Sequence, residues 1–196
     1  VHTLLGTVDA SDTDASNNNA GAALSYGSGR SLALNGSAES EHVSTGRTAG
    51  ELGLGTSEPV TVEAWIRWDG AMHTSDPDDS VIPILGLDTF DEGQSTSAEF
   101  LGLDPSGALK VTTSTGNTQL TPNRWYHVAY VYSGGVWTYY VNGTPDGTAS
   151  DDLPANNDVL VGRNVDSDET ITGEMSSVPH YFGGQIDQLR IWSAAL

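Results

Sequence analysis

The sequence contains no cysteine among its 196 residues, and it has little positive charge. The missing thiols exclude a disulfide scaffold, a thiolate metal site and a cysteine nucleophile. Seven Lys and Arg residues stand against 26 Asp and Glu, which gives a formal net charge of -19. Such an acidic surface repels phosphate backbones, which excludes nucleic acid as a partner. No apolar run is long enough for a membrane-spanning helix, so membrane insertion is not expected either.

The chain has enough apolar material to build one core, because 37% of its residues are hydrophobic. A length of 196 residues favours a single domain spanning 1–196. Residues 9–19 are low in complexity and poor in apolar side chains, so we expect them to form an N-terminal loop. Abundant Asp with a single lysine, Lys110, is typical of proteins that work in calcium-rich water. We therefore expect a secreted or cell-surface location.

Short segments that alternate apolar and polar residues are separated by Gly, Pro, Asn and Asp, and no helical period persists over three turns. This pattern predicts an all-β protein, a two-sheet antiparallel jelly-roll sandwich, with one short helical turn near 48–54. In the segment 60–68, even-numbered residues share a core face and odd-numbered residues share a mixed face. The segment 125–132 is apolar on both faces, which favours a central strand. Ser133-Gly134-Gly135 then predicts a β-hairpin with the next strand, and Asn142-Gly143 predicts a tight turn. The predicted strands are 60–68, 97–103, 108–113, 125–132, 136–142, 158–162 and 184–192.

Six ordered stretches resemble the landmarks of the laminin-G-like group. They are SLALNG (31–36), VTVEAWIRW (60–68), WYHVA (125–129), YVNG (140–143), LVGR (160–163) and FGGQIDQLRIW (182–192). This group shares a concanavalin A-like jelly-roll sandwich with the pentraxins, and the resemblance covers about 24–196. It implies the same fold here. It also places four aromatic residues in landmark strands, where packing in the core is the expectation: Trp65, Trp125, Tyr140 and Trp192.

Two acidic segments have the chemistry of a calcium site, since calcium takes six to eight oxygen ligands from carboxylates and carbonyls on loops. Solvated surface is the alternative for any single acidic run in a chain of this charge. The resemblance to pentraxins, which bind calcium at both corresponding positions, implies one shared cation site. For Asp187, hydrogen bonding to backbone amides is an equal alternative, with Asn35 as a neighbour. The metal ligands predicted in this way are Asp78, Asp79, Asp166, Asp168, Glu169, Glu174 and Asp187.

Side chains at strand ends and loops beside this cation site are candidate sugar contacts, because sugar C–H faces pack on aromatic rings. They are Trp68, His73, Phe90, His180 and Tyr181. Catalysis is not expected. A retaining glycosidase needs two carboxylates about 5 to 5.5 Å apart, and Glu63 has no second carboxylate at an even offset within its strand.

Together these inferences favour a calcium-dependent carbohydrate-binding, lectin-like module of a larger secreted or surface bacterial protein, such as an adhesin. Its partners would be an oligosaccharide or polysaccharide ligand and the neighbouring domains of the longer chain. The alternative is a protein-binding or architectural laminin-G-like domain in which calcium only orders loops. A glycan hydrolase or lyase is the least favoured of the three.

Overall fold

The computed structural model describes residues 31–36, 42–74, 81–88, 100–168 and 176–196, and they are nearly all β. One short 3-10 helix, Gly50–Leu52, lies in the predicted helical turn. None of the helices in these ranges has the length and apolar character needed to span a membrane. The strands are β1 (Leu32–Asn35), β2 (Val43–Thr48), β3 (Val60–Trp68), β4 (His73–Thr74), β5 (Ile82–Asp88), β6 (Phe100–Leu103), β7 (Ala108–Val111), β8 (Ser114–Gln119), β9 (Tyr126–Ser133), β10 (Val136–Val141), β11 (Thr144–Ala149), β12 (Asp158–Val161), β13 (Arg163–Asp168), β14 (Ser176–Tyr181) and β15 (Gly183–Trp192).

The strands form two large sheets, as the predicted sandwich requires. The first sheet has the order β1-β15-β3-β9-β10-β11. The second has the order β4-β14-β13-β5-β6-β7-β8, and β12 joins it by pairing with β5 and β2. All of the pairings are antiparallel except one parallel bridge, between Val165 of β13 and Asp88 of β5. The two-sheet antiparallel fold class is therefore confirmed.

The core lies between the two sheets and follows the alternation read from the sequence. The even-numbered residues of β3, from Val60 to Trp68, are 0 to 5% exposed, which confirms the predicted core face. β9 lies inside the first sheet between β3 and β10, and its residues 128–132 are all buried, as expected for a central strand. Tyr130 of β9 spans the core, and its hydroxyl donates to the Gly102 carbonyl in the second sheet at 2.6 Å. Burial raises the pKa of Tyr130.

Two tight turns shape the first sheet. Ser133 pairs with Val136 across Gly134-Gly135, which confirms the predicted hairpin. Asn142 and Gly143 connect β10 to β11, with φ of 50° and 77°. Both values lie in the left-handed region that an Asn-Gly hairpin turn requires. The sequence therefore placed these turns correctly.

Several strands carry no apolar alternation and were not predicted. β8 (STGNTQ) and β2 (VSTGRT) are mostly exposed and polar. They pair through backbone hydrogen bonds, with β7 and β12 respectively. Hydrophobic periodicity indicates which side chains are buried and not which backbones pair. Polar strands of this kind therefore cannot be predicted from it.

Candidate functional site

The outer face of the first sheet carries a group of large polar and aromatic side chains. β3 points its odd-numbered residues to this face, opposite the core. Its neighbours are β15 and β9, so Trp65 lies between Asp187 on one side and His127 on the other. Arg67, two residues further along β3, is paired with Gln185. Trp125 directly precedes β9, and continuing the alternation by one residue places it on the face of His127.

Two of the five tryptophans are exposed, which corrects the expectation that both pack in the core. Trp65 is 39% exposed and Trp125 is 41% exposed. The other three donate their indole N–H to protein acceptors, which are Ala71 O for Trp68, Asp151 O for Trp137 and Glu63 Oε1 for Trp192. Neither Trp65 nor Trp125 donates to an acceptor within the described part of the chain. Both indoles therefore offer a ring face and an N–H group to solvent.

Among the described residues, the C-terminal segment covers only the half of the outer face around Thr61, and the half that carries Trp65 is left open to solvent. In the covered half, Thr61 Oγ1 donates to Ala194 O at 2.8 Å and accepts from Leu196 N at 3.1 Å. Thr61 is 2% exposed as a result. Landmark strands can place an aromatic residue on either face, so strand membership alone does not imply burial.

Glu63 anchors the side chains next to Trp65. Its Oε1 accepts from Arg190 Nη1 at 3.1 Å and from Trp192 Nε1 at 3.0 Å, and its Oε2 lies 3.1 Å from His127 Nε2. The His127 ring in turn meets Trp65 edge to face, with ring centroids 5.4 Å apart and planes at 62°. Three partners on one carboxylate limit its motion and that of His127, so the neighbour of Trp65 is held in place.

A clamped turn positions Trp125. Asn123 has a φ of 61°, and its backbone N–H donates to Trp68 O at 2.6 Å. Its side-chain Nδ2 donates to Asp69 O at 3.3 Å. Just beyond, the Tyr126 hydroxyl accepts from Thr121 N at 3.1 Å. Hydrogen bonding to the side chain of Thr121, and to a lesser extent to its backbone N–H, lowers the pKa of Tyr126. The turn is thus tied to the end of β3, and the residue that follows Arg124 in it is Trp125.

Arg67 is held between two neutral acceptors. Its Nε donates to Asn123 O at 3.1 Å, and its Nη1 donates to Gln185 Oε1 at 2.9 Å. Gln185 is itself fixed, because its Nε2 donates to Ser31 Oγ at 3.0 Å. We name this open half of the outer face the tryptophan face, and it consists of Trp65, Arg67, Trp125 and His127.

Of the predicted sugar contacts, His73 is the most accessible. Its Nε2 lies 2.7 Å from Asp69 Oδ2, and its side chain is 23% exposed. A Cβ on Gly36 or Gly183 would lie about 2.2 Å from the ring, so both glycines make room for it. Three others lie in the interior, with exposures of 5% for Trp68, 0% for His180 and 4% for Tyr181. Their burial argues against stacking, and Phe90 lies outside the described residues.

The predicted metal ligands are only partly described. Asp166 and Asp168 lie on β13, where the register pairs them with Val178 and Ser176 of β14. Asp78, Asp79, Glu169 and Glu174 lie outside the described residues. Within the described ranges, no three acidic or histidine side chains are grouped as a metal site would need.

Asp187 has a hydrogen bond of the kind that was the alternative to a metal. Its Oδ1 accepts from the Gln188 backbone N–H at 2.7 Å. Gln188 has a φ of 50° and lies where the pairing of β15 with β3 shifts register. Asn35 is paired with Gly183, four residues before Asp187, so the expected backbone neighbourhood is wrong.

A separate cleft of about 310 Å³ lies at the opposite end of β3 from the tryptophan face. The two aromatic residues that line it are buried, since Tyr132 is 7% exposed and Trp137 is 1% exposed. It is lined by Gly55, Thr56, Ser57, Tyr132, Trp137, Asp152 and Leu153.

The comparisons with known proteins agree with the observed architecture. A laminin G sequence profile, described as the concanavalin A-like lectin/glucanases superfamily, matches residues 37–196. Pappalysin-1 of Mus musculus is 26% identical over 113 residues, which is 57% of this chain and 7% of that protein. The chain thus spans a small fraction of this curated relative's length.

Two solved structures share the fold. One is domain 4 of AbnA, a GH43 extracellular arabinanase from Geobacillus stearothermophilus, in complex with arabinotriose. It has a TM-score of 0.55 and 21% identity over 87% of this chain and 74% of that one. The other is the CBM40 domain of the Ruminococcus gnavus IT-sialidase, with a TM-score of 0.52 and 11% identity over 85% of this chain and 91% of that one.

Proposed function

Because the chain belongs to the concanavalin A-like lectin/glucanases superfamily, we propose that it is a carbohydrate-binding module whose ligand docks on the tryptophan face. The observation that carries this proposal is the pair of exposed indoles, Trp65 and Trp125, whose N–H groups have no acceptor in the described part of the chain. Sugar C–H faces pack against indole rings, and sugar hydroxyls accept hydrogen bonds from indole N–H and guanidinium groups. The tryptophan face offers all of these groups on a rigid sheet.

The two similar structures support the same proposal. One is a domain of an extracellular arabinanase in complex with arabinotriose, and the other is the CBM40 domain of a sialidase. A sheet face also suits an extended oligosaccharide, because such a ligand needs a long open surface.

A glycan array with matched variants tests the proposal. Trp65→Ala and Trp125→Ala should each lower the affinity for the best ligand at least tenfold, since each loses a stacking ring. Val136→Ala is the matched control, because Val136 is also an exposed apolar residue, at 40%, at the far end of the same sheet. If both tryptophan variants bind as the wild type does, the ligand does not use this face.

Calcium dependence is a second part of the proposal. β13 carries Asp166 and Asp168, and its partner β14 also pairs with β4, after which the chain enters the segment with Asp78 and Asp79. Asp78, Asp79, Asp166, Asp168, Glu169 and Glu174 would hold the ion, which would supply charge neutralisation and order these segments. The described residues alone are too few to form such a site.

Thermal unfolding in calcium and in chelator tests this part. Calcium at about 100 times its dissociation constant should stabilise the fold by roughly 2.7 kcal/mol, and Asp78→Ala or Asp79→Ala should remove this gain. An unchanged Tm in wild type would remove the calcium proposal. Loss of glycan binding in chelator, with Trp65→Ala and Trp125→Ala unaffected, would instead move the ligand site to the cation.

We place this module in a larger secreted or surface protein, such as an adhesin, where it would deliver glycan binding to neighbouring domains. The strongly acidic surface supports that setting. The domain itself is proposed to be non-catalytic, because the Glu63 carboxylate is occupied by Arg190, Trp192 and His127. Release of reducing ends from polysaccharides by the purified domain, persisting after repurification, would contradict this.

A further inference from the structure

The few basic residues of this acidic chain differ in whether a carboxylate neutralises them. Only seven Lys and Arg residues are present in a chain of net charge -19. One of them, Arg67, lies on the open half of the outer face, and another, Arg124, directly precedes Trp125 in the chain. We propose, resting on the function proposed above, that the ligand of the tryptophan face is an anionic sugar whose carboxylate or sulfate group binds Arg67.

The first support is that Arg67 is positioned but not neutralised. Its two hydrogen bonds go to the Asn123 carbonyl and the Gln185 side-chain carbonyl, which carry no net charge. Among the described residues it forms no ion pair, and neither does Arg124. Arg190, on the same sheet face, differs in that Glu63 neutralises it. A guanidinium that is held in place with its charge uncompensated is ready to donate hydrogen bonds to an oxyanion.

The second support is that one nitrogen of the Arg67 guanidinium is left to donate a hydrogen bond to a ligand. Nε and Nη1 of Arg67 are engaged with protein, and Nη2 has no partner in the described part of the chain. The two engaged nitrogens fix the plane of the group, so Nη2 has a defined direction. An oxyanion bound there would lie on the sheet face to which alternation assigns Trp125, whose ring can stack the sugar that carries the anion.

The carboxylates nearest along the strands do not occupy this position. Asp187 is paired with Trp65 on the β15 side and accepts from the Gln188 N–H. Asp69, beyond the end of β3, contacts His73 and accepts from Ala71 N. Trp125 directly precedes β9, the strand on the side of β3 opposite β15, and no described carboxylate pairs with Arg67 on that side. The anionic group would approach from that side.

Nuclear magnetic resonance titration tests the inference with three probes that share a glucose-type ring and differ at C6. Glucose has a neutral hydroxymethyl group there, glucuronate has a carboxylate in its place, and glucose 6-sulfate has a sulfate ester on it. All are titrated at matched ionic strength, because salt screens exposed charges. The readouts are the five indole N–H signals and the Arg67 Nε–H signal. We expect glucuronate, glucose 6-sulfate or both to shift the signals of Trp125 and Arg67, with glucose at least tenfold weaker. The acid that binds more tightly identifies the carboxylate or the sulfate as the natural group.

Substitutions distinguish a specific contact with Arg67 from non-specific electrostatic attraction of the anionic probe. Arg67→Gln should weaken binding of the anionic probe about tenfold or more, and Arg124→Gln should weaken it less. Arg67→Lys, which keeps the charge but loses the planar fork, should fall between wild type and Arg67→Gln. Arg47→Gln is the matched control: it removes the same charge from β2, where Arg47 pairs with Glu51, and should leave binding unchanged.

The outcomes distinguish this inference from the function on which it rests. Equal binding of glucose and both acids, dependent on Trp125 but not on Arg67, would overturn the anionic ligand and leave carbohydrate binding standing. Anion binding that Arg47→Gln weakens as much as Arg67→Gln would also overturn it, since the attraction would then be non-specific. If no probe shifts any indole signal and no glycan on the array binds, both proposals fail.

Discussion

His42 should make the fold sensitive to mild acid. It lies directly before β2, is 8% exposed, and its Nδ1 has no hydrogen-bond partner. Burial, with a smaller contribution from the positive charge of Arg163, lowers the pKa of His42 from 6.5 to about 4. The folded protein therefore holds this imidazole neutral, whereas the unfolded chain binds a proton at any pH below about 6.5.

The size of the effect follows from the two pKa values. Above pH 6.5 neither state is protonated at His42, so the residue does not change the free energy of unfolding with pH. As the pH falls from 6.5 towards 4, the unfolded state gains a proton that the folded state does not accept, and stability is lost. The full loss is about 3 kcal/mol, and roughly 2 kcal/mol of it is reached at pH 5.

Urea unfolding at pH 5, 6, 7 and 8 measures this loss in wild type, His42→Leu and Val43→Ala. His42→Leu should flatten the decline between pH 7 and pH 5 by about 2 kcal/mol, because it removes the titrating group. Val43→Ala, at the adjacent buried position, should lower stability equally at every pH and keep the wild-type slope. An unchanged slope in His42→Leu would refute the reasoning.

Three further predictions follow from side-chain environments. Trp137→Ala should cost about 3 to 5 kcal/mol of stability because Trp137 is 1% exposed, and Trp65→Ala should cost far less in the same urea titration. Asp146→Ala should cost about 1 to 3 kcal/mol, because the buried Oδ1 of Asp146 accepts from Thr118 N at 2.9 Å across the edge strands; a near-neutral result would contradict this. Glu63→Ala should lower stability by about 2 kcal/mol and also weaken glycan binding in calorimetry, whereas unchanged affinity would show that its hydrogen bonds do not organise the tryptophan face.

Much of the architecture was accessible from short-range pattern. The core face of β3 and the two glycine turns followed from alternation and turn chemistry, which depend only on residues close in sequence. The ends of β3 were predicted to the residue, and β9 and β10 were each within one residue at both ends. The polar strands β2 and β8 were missed, because their pairing depends on partners elsewhere in the chain.

The candidate site divides in the same way. Alternation along β3 assigned Trp65 and Arg67 to the mixed face, so the sequence determined their direction. The expectation that Trp65 packs in the core came from the resemblance and was wrong. Whether that face was covered depended on tertiary structure, because the C-terminal residues close only the half around Thr61. The partners of Arg67 lie 56 and 118 residues away along the chain. The local pattern predicts to which face of the sheet a side chain points. Whether that side chain is covered, and which groups it contacts, depends on the packing of segments that are distant in sequence.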